Sequence, residues 1–405
     1  MKTSYFFNYG RRFILFFVFL LLLTILLCYR VDPFSIYGRV YTKDGHEVNS
    51  PGFTSQLHMG KSAAIKRYKP NIIIMGSSRA AFGLSASSSE KYFPQQNVYN
   101  MAFPGASAYE SLCYFQHAIA SSDIKQAFIS LDFFQYHGGR ALPSSFREER
   151  LAVDINNQST NDPVNDYLST LLSADAVFYS FKVATGLCDW KSIYLTNGFK
   201  YQDLTGAWAK QFISSEQRYI DDTYTIPDYT FNNKNDSGTT FDYFRKMVQL
   251  AHQHHIDLHF FISPSHARQW EVIAQLGLWQ KWEYWKQEML AITKQESRIF
   301  QQSILPIHDF SGYSAYSTES VPRTAEKVMQ WYSDSSHYRQ ALGDILLAKM
   351  LQIDKTPAES FGRVLNTANI TMHLANIKTE HLHYQTTHTQ DITDIQQLIA
   401  AKEKY

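Results

Sequence analysis

An uncharged apolar run near the N-terminus constrains this chain more than any other feature. From residue 13 to residue 29 the sequence reads FILFFVFLLLLTILLCY, which is close to the minimum length of a helix that crosses a bilayer. A buried helix of a soluble domain fits poorly, because the run has no polar face. The stretch that ends the run, LLCYRVDPF, offers no small-residue site for signal peptide cleavage. We therefore predict an uncleaved transmembrane anchor at residues 13–29.

Basic residues around the anchor indicate its orientation. Lys2, Arg11 and Arg12 precede it, whereas the single arginine that follows it is offset by a nearby aspartate. Under the positive-inside rule, we expect residues 1–12 in the cytoplasm and the roughly 375 residues after the anchor outside it.

Charge and cysteine content narrow the range of functions. With 38 basic and 37 acidic residues the formal charge is +1, so the chain lacks the basic footprint of a nucleic-acid-binding protein. Its three cysteines form no CxxC pair and no zinc-site spacing, and we expect no metal and no cofactor. Because Cys28 falls in the anchor, Cys113 and Cys188 are the pair that can form a disulfide in an oxidising compartment. The sequence leaves open whether they do.

Short apolar runs alternate with helix-like stretches along the rest of the chain. Residues 71–75 (NIIIM) form a β-branched run that ends at Gly76, as a buried strand followed by a turn does. Alternating strands and helices favour a mostly parallel sheet in a three-layer α/β/α domain. The further predicted strands are 96–101, 127–133, 258–263 and 303–309.

The same pattern predicts how the chain is divided. A polar connector at 30–69 leads into an α/β domain at 70–355. The alternation lapses at about 139–240, which we interpret as a helical insertion with helical patches such as Asp166–Leu172 and Ala174–Ala184. Residues 356–405 are rich in Thr, His and Gln and are expected to form a polar C-terminal tail, either helical or loosely ordered.

Ser78 stands where an α/β fold places its ligand site. It follows the first predicted strand and precedes a predicted helix, and such folds bind ligands at the carboxyl edge of the sheet. The helix start would also direct N–H groups toward an anionic intermediate. The alternative is that Ser77 and Ser78 only cap the helix, as serines often do.

A second candidate motif lies near the other end of the chain. Asp334 precedes His337 by three residues, just before an amphipathic stretch. This spacing allows Asp334 to orient the imidazole while His337 acts as a general base. The alternative is again helix capping.

Taken together, these motifs resemble the blocks of SGNH (GDSL-like) hydrolases. GSSR at residues 76–79 is similar to the first block, whose serine is the nucleophile, which implies that role for Ser78. The stretch YNMAFPGAS at 99–107 resembles the second block, whose glycine supplies an oxyanion-hole N–H, here Gly105. The late D-x-x-H falls on Asp334 and His337, in the chain order of the family.

The third block departs from the family pattern. Its asparagine donates to the oxyanion, whereas Asp132 stands at the aligned position, and an ionised carboxylate would repel an oxyanion. Three alternatives follow: Asp132 is protonated, another donor replaces it, or Ser78 and Gly105 form the hole alone. A missing donor costs about 3 kcal/mol of barrier.

The general plan is similar to membrane-anchored SGNH-like proteins of bacterial envelope acylation, such as the D-alanyl transfer protein of teichoic acid synthesis and the alginate O-acetylation proteins. This resemblance implies a single-pass protein of the inner (cytoplasmic) membrane with a periplasmic, extracytoplasmic domain. It implies an acyltransferase or acyl-esterase acting on an envelope glycan or lipid-linked acyl substrate, with a membrane acyltransferase as partner. The competing hypothesis is a catalytically silent SGNH-like module that binds glycan or scaffolds an envelope assembly complex.

Two further residues are candidates for substrate contact. Arg79, next to the serine, either holds an anionic substrate group or pairs with a neighbouring carboxylate. His266 follows the 258–263 strand and is expected at the same edge of the sheet. It either contacts substrate or is an ordinary loop histidine.

Overall fold

The computed structural model describes residues 2–87, 92–160, 170–190, 192–201, 206–234, 237–323, 328–353 and 361–402, with side chains from residue 8 onward. Within these ranges the helices are α1 (Lys2–Val31), α2 (Leu57–Tyr68), α3 (Ser78–Gly83), α4 (Ala108–Ser121), α5 (Ala174–Ala184), α6 (Trp208–Arg218), α7 (Thr240–Gln253), α8 (Ala267–Gln275), α9 (Trp279–Phe300), α10 (Gln340–Met350), α11 (Ile370–Thr387) and α12 (Thr389–Lys402). The strands are β1 (Tyr41–Lys43), β2 (His46–Val48), β3 (Ile72–Met75), β4 (Val98–Asn100), β5 (Gln126–Leu131), β6 (Ile193–Tyr194), β7 (Lys200–Tyr201), β8 (Asp257–Ile262), β9 (Ile307–Asp309) and β10 (Arg363–Val364).

A mostly parallel sheet forms the centre of this mixed α/β protein. Its strand order is β10-β9-β8-β5-β3-β4, and every neighbouring pair from β9 to β4 is parallel. The short strand β10 adds an antiparallel edge beside β9. The predicted strands and their parallel pairing are therefore confirmed, with ends that differ by a few residues, whereas β10 lay outside every predicted strand.

Apolar side chains bury both faces of the sheet. Ile73 and Met75 join one cluster, which also takes side chains from α4, α7 and α9. Ile72 and Ile74 point the other way and pack with side chains of α3, α6 and α10. Because neither face meets water, β3 is apolar throughout rather than alternating.

The predicted connector at 30–69 is wrong as a description of this segment. Helix α2 is buried from Leu57 to Ile65 and belongs to the domain. Lys61 is fully buried, and its amine donates to the carbonyl oxygens of Asn100, Ala102 and Gly198. The segment therefore supports the loop after β4 rather than merely linking the anchor to it.

The predicted polar tail is helical along most of its described part and packs onto the domain. The described residues from 361 onward supply β10, α11 and α12, and α12 packs against α6 and α8. Tyr384 and Ile395 are buried, and Arg268 of α8 forms an ion pair with Asp391 at 2.7 Å. The tail therefore covers the domain through apolar contacts, which include Ile370 and Leu374, as well as through ion pairs.

Helix α1 contains the apolar run and leaves most of it exposed. The stretch Asn8–Val31 is long and apolar enough to cross a membrane, and its 24 residues extend about 36 Å at the rise of an α-helix. Its C-terminal end packs against α5, whose bounds match the second predicted helical patch. Most of the first patch, Asp166–Leu172, lies outside the described residues. Cys113 and Cys188 are both free thiols in this structure.

Candidate active site

A tight turn delivers Ser78 at the carboxyl end of β3. Gly76 adopts a φ of +139°, and a Cβ there would lie 2.5 Å from the Cβ of Ser130, so this position requires glycine. Ser77 caps α3 by accepting the N–H of Arg79 at 3.2 Å. Ser78 is the first residue of the helix, and its hydroxyl takes no part in the cap. The capping interpretation therefore holds for Ser77 and not for Ser78.

Asp334 and His337 lie in a turn that precedes α10. The turn is closed by a bridge between Tyr332 and Tyr338. Asp334 Oδ1 accepts the N–H groups of Ser336 and His337 at 2.8 and 3.0 Å. The residue that caps α10 is Arg339, so neither Asp334 nor His337 acts as a helix cap.

The two motifs meet in a hydrogen-bonded chain. Ser78 Oγ lies 2.8 Å from His337 Nε2, and His337 Nδ1 lies 2.7 Å from Asp334 Oδ2. When Nδ1–H donates to the carboxylate, Nε2 is left to accept the Ser78 proton. The arrangement of hydroxyl, imidazole and carboxylate is that of a serine nucleophile with its general base and orienting acid.

The surroundings of Asp334 keep it ionised. Burial raises the pKa of this carboxyl, but His337 and the N–H groups of Ser336 and His337 together hold the pKa below its ordinary value. Ser215 of α6 also lies 3.2 Å from Oδ1. A carboxylate that stays charged at neutral pH can fix the imidazole tautomer and stabilise an imidazolium.

A cavity adjoins the site through Phe82, although neither Ser78 nor His337 lines it. The Phe82 and His337 rings are nearly perpendicular, and their centroids lie 5.1 Å apart. The Lys200 amine lies over the Phe82 ring, 4.5 Å from its centroid. Burial lowers the pKa of Lys200 to about 8. The cavity measures about 480 Å³ and is lined by Phe82, Phe199, Tyr201, Val328, Met329, Gln330, Arg339, Gln340 and Ala341.

Asp132 is held inside the protein rather than presented to an oxyanion. Its Oδ1 forms an ion pair with Arg79 Nη1 at 2.8 Å. Its Oδ2 accepts the hydroxyl groups of Ser77 at 2.5 Å and Ser130 at 3.2 Å. Since both oxygens are occupied and the side chain is inaccessible, the doubtful assignment of Asp132 to the oxyanion hole is corrected.

Arg79 pairs with a carboxylate, which is the second of its two interpretations. Its side chain is 2% exposed, so the substrate-binding role is corrected. Besides Asp132, it contacts Ser336, whose hydroxyl accepts the Nε–H at 3.0 Å. Because the Ser336 N–H donates to Asp334, this chain of contacts links the serine turn to the D-x-x-H turn.

Gly105 lies in the exposed loop that follows β4. It has a φ of +71°, and its carbonyl oxygen accepts Arg140 Nη2 at 3.3 Å. The Asn100 side chain connects the start of this loop to α3, because it donates to the carbonyl oxygens of Ala80 and Leu84. Within the part of the chain that the structure describes, the N–H groups of Ser78 and Gly105 have no protein acceptor.

His266 does not face the site, so the prediction of a substrate contact is wrong. The side chain is 1% exposed, its Nε2 lies 2.6 Å from the carbonyl oxygen of Glu319, and its Nδ1 accepts the N–H of Arg268. Burial lowers the pKa of His266 to about 4. Its own N–H donates to the carbonyl of Ser335 at 3.1 Å, so it supports the D-x-x-H turn from behind.

Several supporting residues were missed by sequence reasoning. The loops and the carboxylate described above are held by Lys61, Asn100, Ser215 and Ser336. Each of these side chains contacts a residue that is distant along the chain, and no local sequence pattern reveals such a contact. Among the described residues, no group of three or more His, Cys, Asp or Glu side chains is arranged to hold a metal ion.

Comparison with known proteins adds no assignment. No protein-family model matches the chain, and no curated protein matches its sequence. What the protein does must therefore be inferred from the serine, imidazole and carboxylate that its fold brings together.

Proposed function

We propose that this chain is a membrane-anchored serine acyltransferase or acyl-esterase of the SGNH type. The observation that carries the proposal is the Ser78–His337–Asp334 chain, with contacts of 2.8 and 2.7 Å between residues from opposite ends of the domain. A mostly parallel sheet with helices against both faces, and a serine at its carboxyl edge, is the arrangement expected of a three-layer SGNH domain.

The contacts support a two-step acyl transfer. Ser78 Oγ attacks the carbonyl carbon of an ester while His337 Nε2 takes its proton. The imidazolium then returns that proton to the leaving alcohol as the acyl-enzyme forms. In the second step His337 deprotonates a sugar hydroxyl or water, which attacks the acyl-enzyme. As the acyl–Oγ bond breaks, the imidazolium returns the proton to Ser78 Oγ. Asp334 stays ionised throughout and holds the imidazole in place.

The N–H groups of Ser78 and Gly105 are the donors we assign to the oxyanion. Neither is used by a protein acceptor among the described residues. Asp132 does not oppose this role, because Arg79 neutralises it and no oxygen of its carboxylate is free. Each such donor contributes about 3 to 4 kcal/mol to the stabilisation of the transition state.

The anchor and the cavity support an envelope substrate. A single-pass α1 with its N-terminus in the cytoplasm places the domain on the periplasmic side of the inner membrane, where a lipid-linked substrate or a membrane acyltransferase partner is within reach. The cavity beside Phe82 combines aromatic rings with Gln330 and Arg339. Such a lining suits a sugar, which stacks on rings and hydrogen-bonds through its hydroxyl groups.

The test is covalent labelling of the full-length protein in detergent micelles. A fluorophosphonate probe should form an adduct at Ser78, located by mass spectrometry, and the protein should hydrolyse p-nitrophenyl acetate. Ser78→Ala should abolish both signals. The matched control is Ser214→Ala, which removes an exposed serine of α6 and should leave both unchanged.

The same experiment separates the two candidate functions. A folded wild-type protein that neither labels nor hydrolyses the ester would exclude the acyl-enzyme mechanism and favour the silent glycan-binding or scaffold module. An adduct on another serine would contradict the assignment of Ser78 while keeping the protein an enzyme.

A further inference from the structure

Helix α5 carries an apolar surface that the domain does not cover. Phe178 and Phe181 are 55% and 57% exposed, and Val177 is also exposed. Spacings of three and four residues place these side chains on one face of the helix. Leu187, just beyond the helix, is 65% exposed. Contiguous apolar surface of this kind marks an interaction site in most soluble domains.

The opposite face of α5 packs against the outer end of α1. Ala176 and Ser180 are buried there. Ala176 lies in a cluster with Cys28, against which Ile25 also packs, and Ser180 contacts the Cys28 side chain. Small residues at such a contact let two helices approach closely. Ile25 and Cys28 belong to the apolar run itself, so α5 lies beside the part of α1 that we assign to the membrane rather than beyond it.

Aromatic side chains surround the same end of α1. The Tyr41 hydroxyl donates to the Val31 carbonyl, and Trp190 packs edge-on against the Tyr41 ring at 6.4 Å. The rings of Tyr29 and Tyr37 lie 4.9 Å apart. Tyrosine and tryptophan are enriched at the boundary between acyl chains and headgroups, so these residues mark the level of the membrane surface.

We propose that α5 lies in the outer interface of the bilayer, with Val177, Phe178 and Phe181 among the lipid acyl chains. The Lys182 amine, 4.9 Å from the Phe178 ring centroid, reaches toward the headgroup phosphates while its methylenes remain apolar. The inference rests on the anchor of the proposed function and extends it. One helix would tether the domain loosely, whereas two adjoining membrane contacts hold it in one orientation toward membrane-bound substrate.

The test measures lipid contact in full-length protein reconstituted into phosphatidylethanolamine and phosphatidylglycerol liposomes. In a Cys188→Ser background, which leaves two buried cysteines, single cysteines replace Phe181, Leu22 or Leu382 and carry an environment-sensitive fluorophore. Leu22 lies in the apolar run of α1 and is 58% exposed. Leu382 of α11 is the matched control, since at 56% it is as exposed as Phe181. Nitroxide-labelled phospholipids serve as quenchers.

We expect strong quenching at Leu22 and Phe181 and none at Leu382. Quenching at Leu22 without quenching at Phe181 would overturn the inference and keep the anchor, because it would mean that water or another protein covers α5. Absence of quenching at both Leu22 and Phe181 would overturn the anchor and the inference together. Near-UV circular dichroism of each variant reports whether the domain is folded, independently of its contact with lipid and of any reactivity of Ser78.

Discussion

Two aspartate–histidine pairs in this protein look alike and differ in what surrounds them. His337 lies 2.7 Å from Asp334, and His373 lies 2.9 Å from Asp309 at the end of β9. Asp309 also pairs with the buried Lys286 at 2.8 Å. In the described part of the chain, Asp334 has no lysine or arginine partner, and His337 rather than His373 contacts a hydroxyl group.

The difference teaches what a histidine needs in order to act as a base. At Asp309 the amine of the buried Lys286 already lies against the carboxylate, so His373 is one of two groups that contact it. In the proposed mechanism, the charge that balances the Asp334 carboxylate is the one that His337 gains when it takes a proton from Ser78. We therefore interpret the Asp309 pair as a structural tie between the sheet, α9 and α11, and the Asp334 pair as part of the reaction.

The largest expected effect comes from exchanging the two histidines for alanine in separate variants. His337→Ala should lower p-nitrophenyl acetate hydrolysis by about 10³- to 10⁶-fold, as removal of the base does in other serine hydrolases. His373→Ala should retain turnover per folded molecule but lose about 1.5 to 3 kcal/mol of unfolding free energy, since a hydrogen bond to a charged group is lost. Steady-state kinetics and urea denaturation measure the two quantities. Equal loss of turnover in both variants would break the comparison.

Replacing the two aspartates tests the same contrast through stability. Asp309→Asn leaves Lys286 buried without a counter-charge and should cost about 3 to 5 kcal/mol of unfolding free energy. Asp334→Asn should cost much less stability but lower turnover by about 10⁴-fold, because the imidazole loses its correct tautomer. Chemical denaturation of both variants beside wild type provides the measurement.

The dependence of the unfolding free energy on acid pH tests the structural role of Asp309. Burial raises the pKa of this carboxyl, but Lys286 and His373 outweigh burial and hold the pKa well below the ordinary value of 3.8. The contribution of the carboxylate is therefore full above that value and is lost as the pH falls below it. Asp309→Asn should show a shallower acid decline than wild type. An identical decline in both proteins would show that Asp309 does not contribute to it.

The smallest effect is expected at Ser215, whose hydroxyl group donates one hydrogen bond to Asp334. Ser215→Ala removes one hydrogen bond to Asp334 and should reduce turnover by roughly fivefold, equivalent to about 1 kcal/mol. Ser214→Ala, one residue earlier and exposed, is the control. A loss beyond about a hundredfold would mean that Ser215 positions Asp334 more strongly than one neutral hydrogen bond can.

The strands and the reactive residues could be predicted from sequence because each leaves a local trace. The run at 71–75 is β-branched and ends at glycine, and the spacing of Asp334 and His337 is visible as a motif. The role of Asp132 left no such trace, since it depends on Arg79 reaching across the turn. The packing of the tail onto the domain left no local trace for a related reason, because ion pairs such as Arg268–Asp391 form between residues 123 positions apart.

The contact between Ser78 and His337, which come from distant parts of the chain, has a consequence for biogenesis. Ser78 and His337 are separated by 259 positions, and contacts of such high sequence separation form late in folding. With the topology proposed above, Ser78 crosses the membrane long before His337. Under the proposed mechanism, Ser78 would therefore stay unactivated during translocation, and its reactivity would begin when the C-terminal third closes the domain.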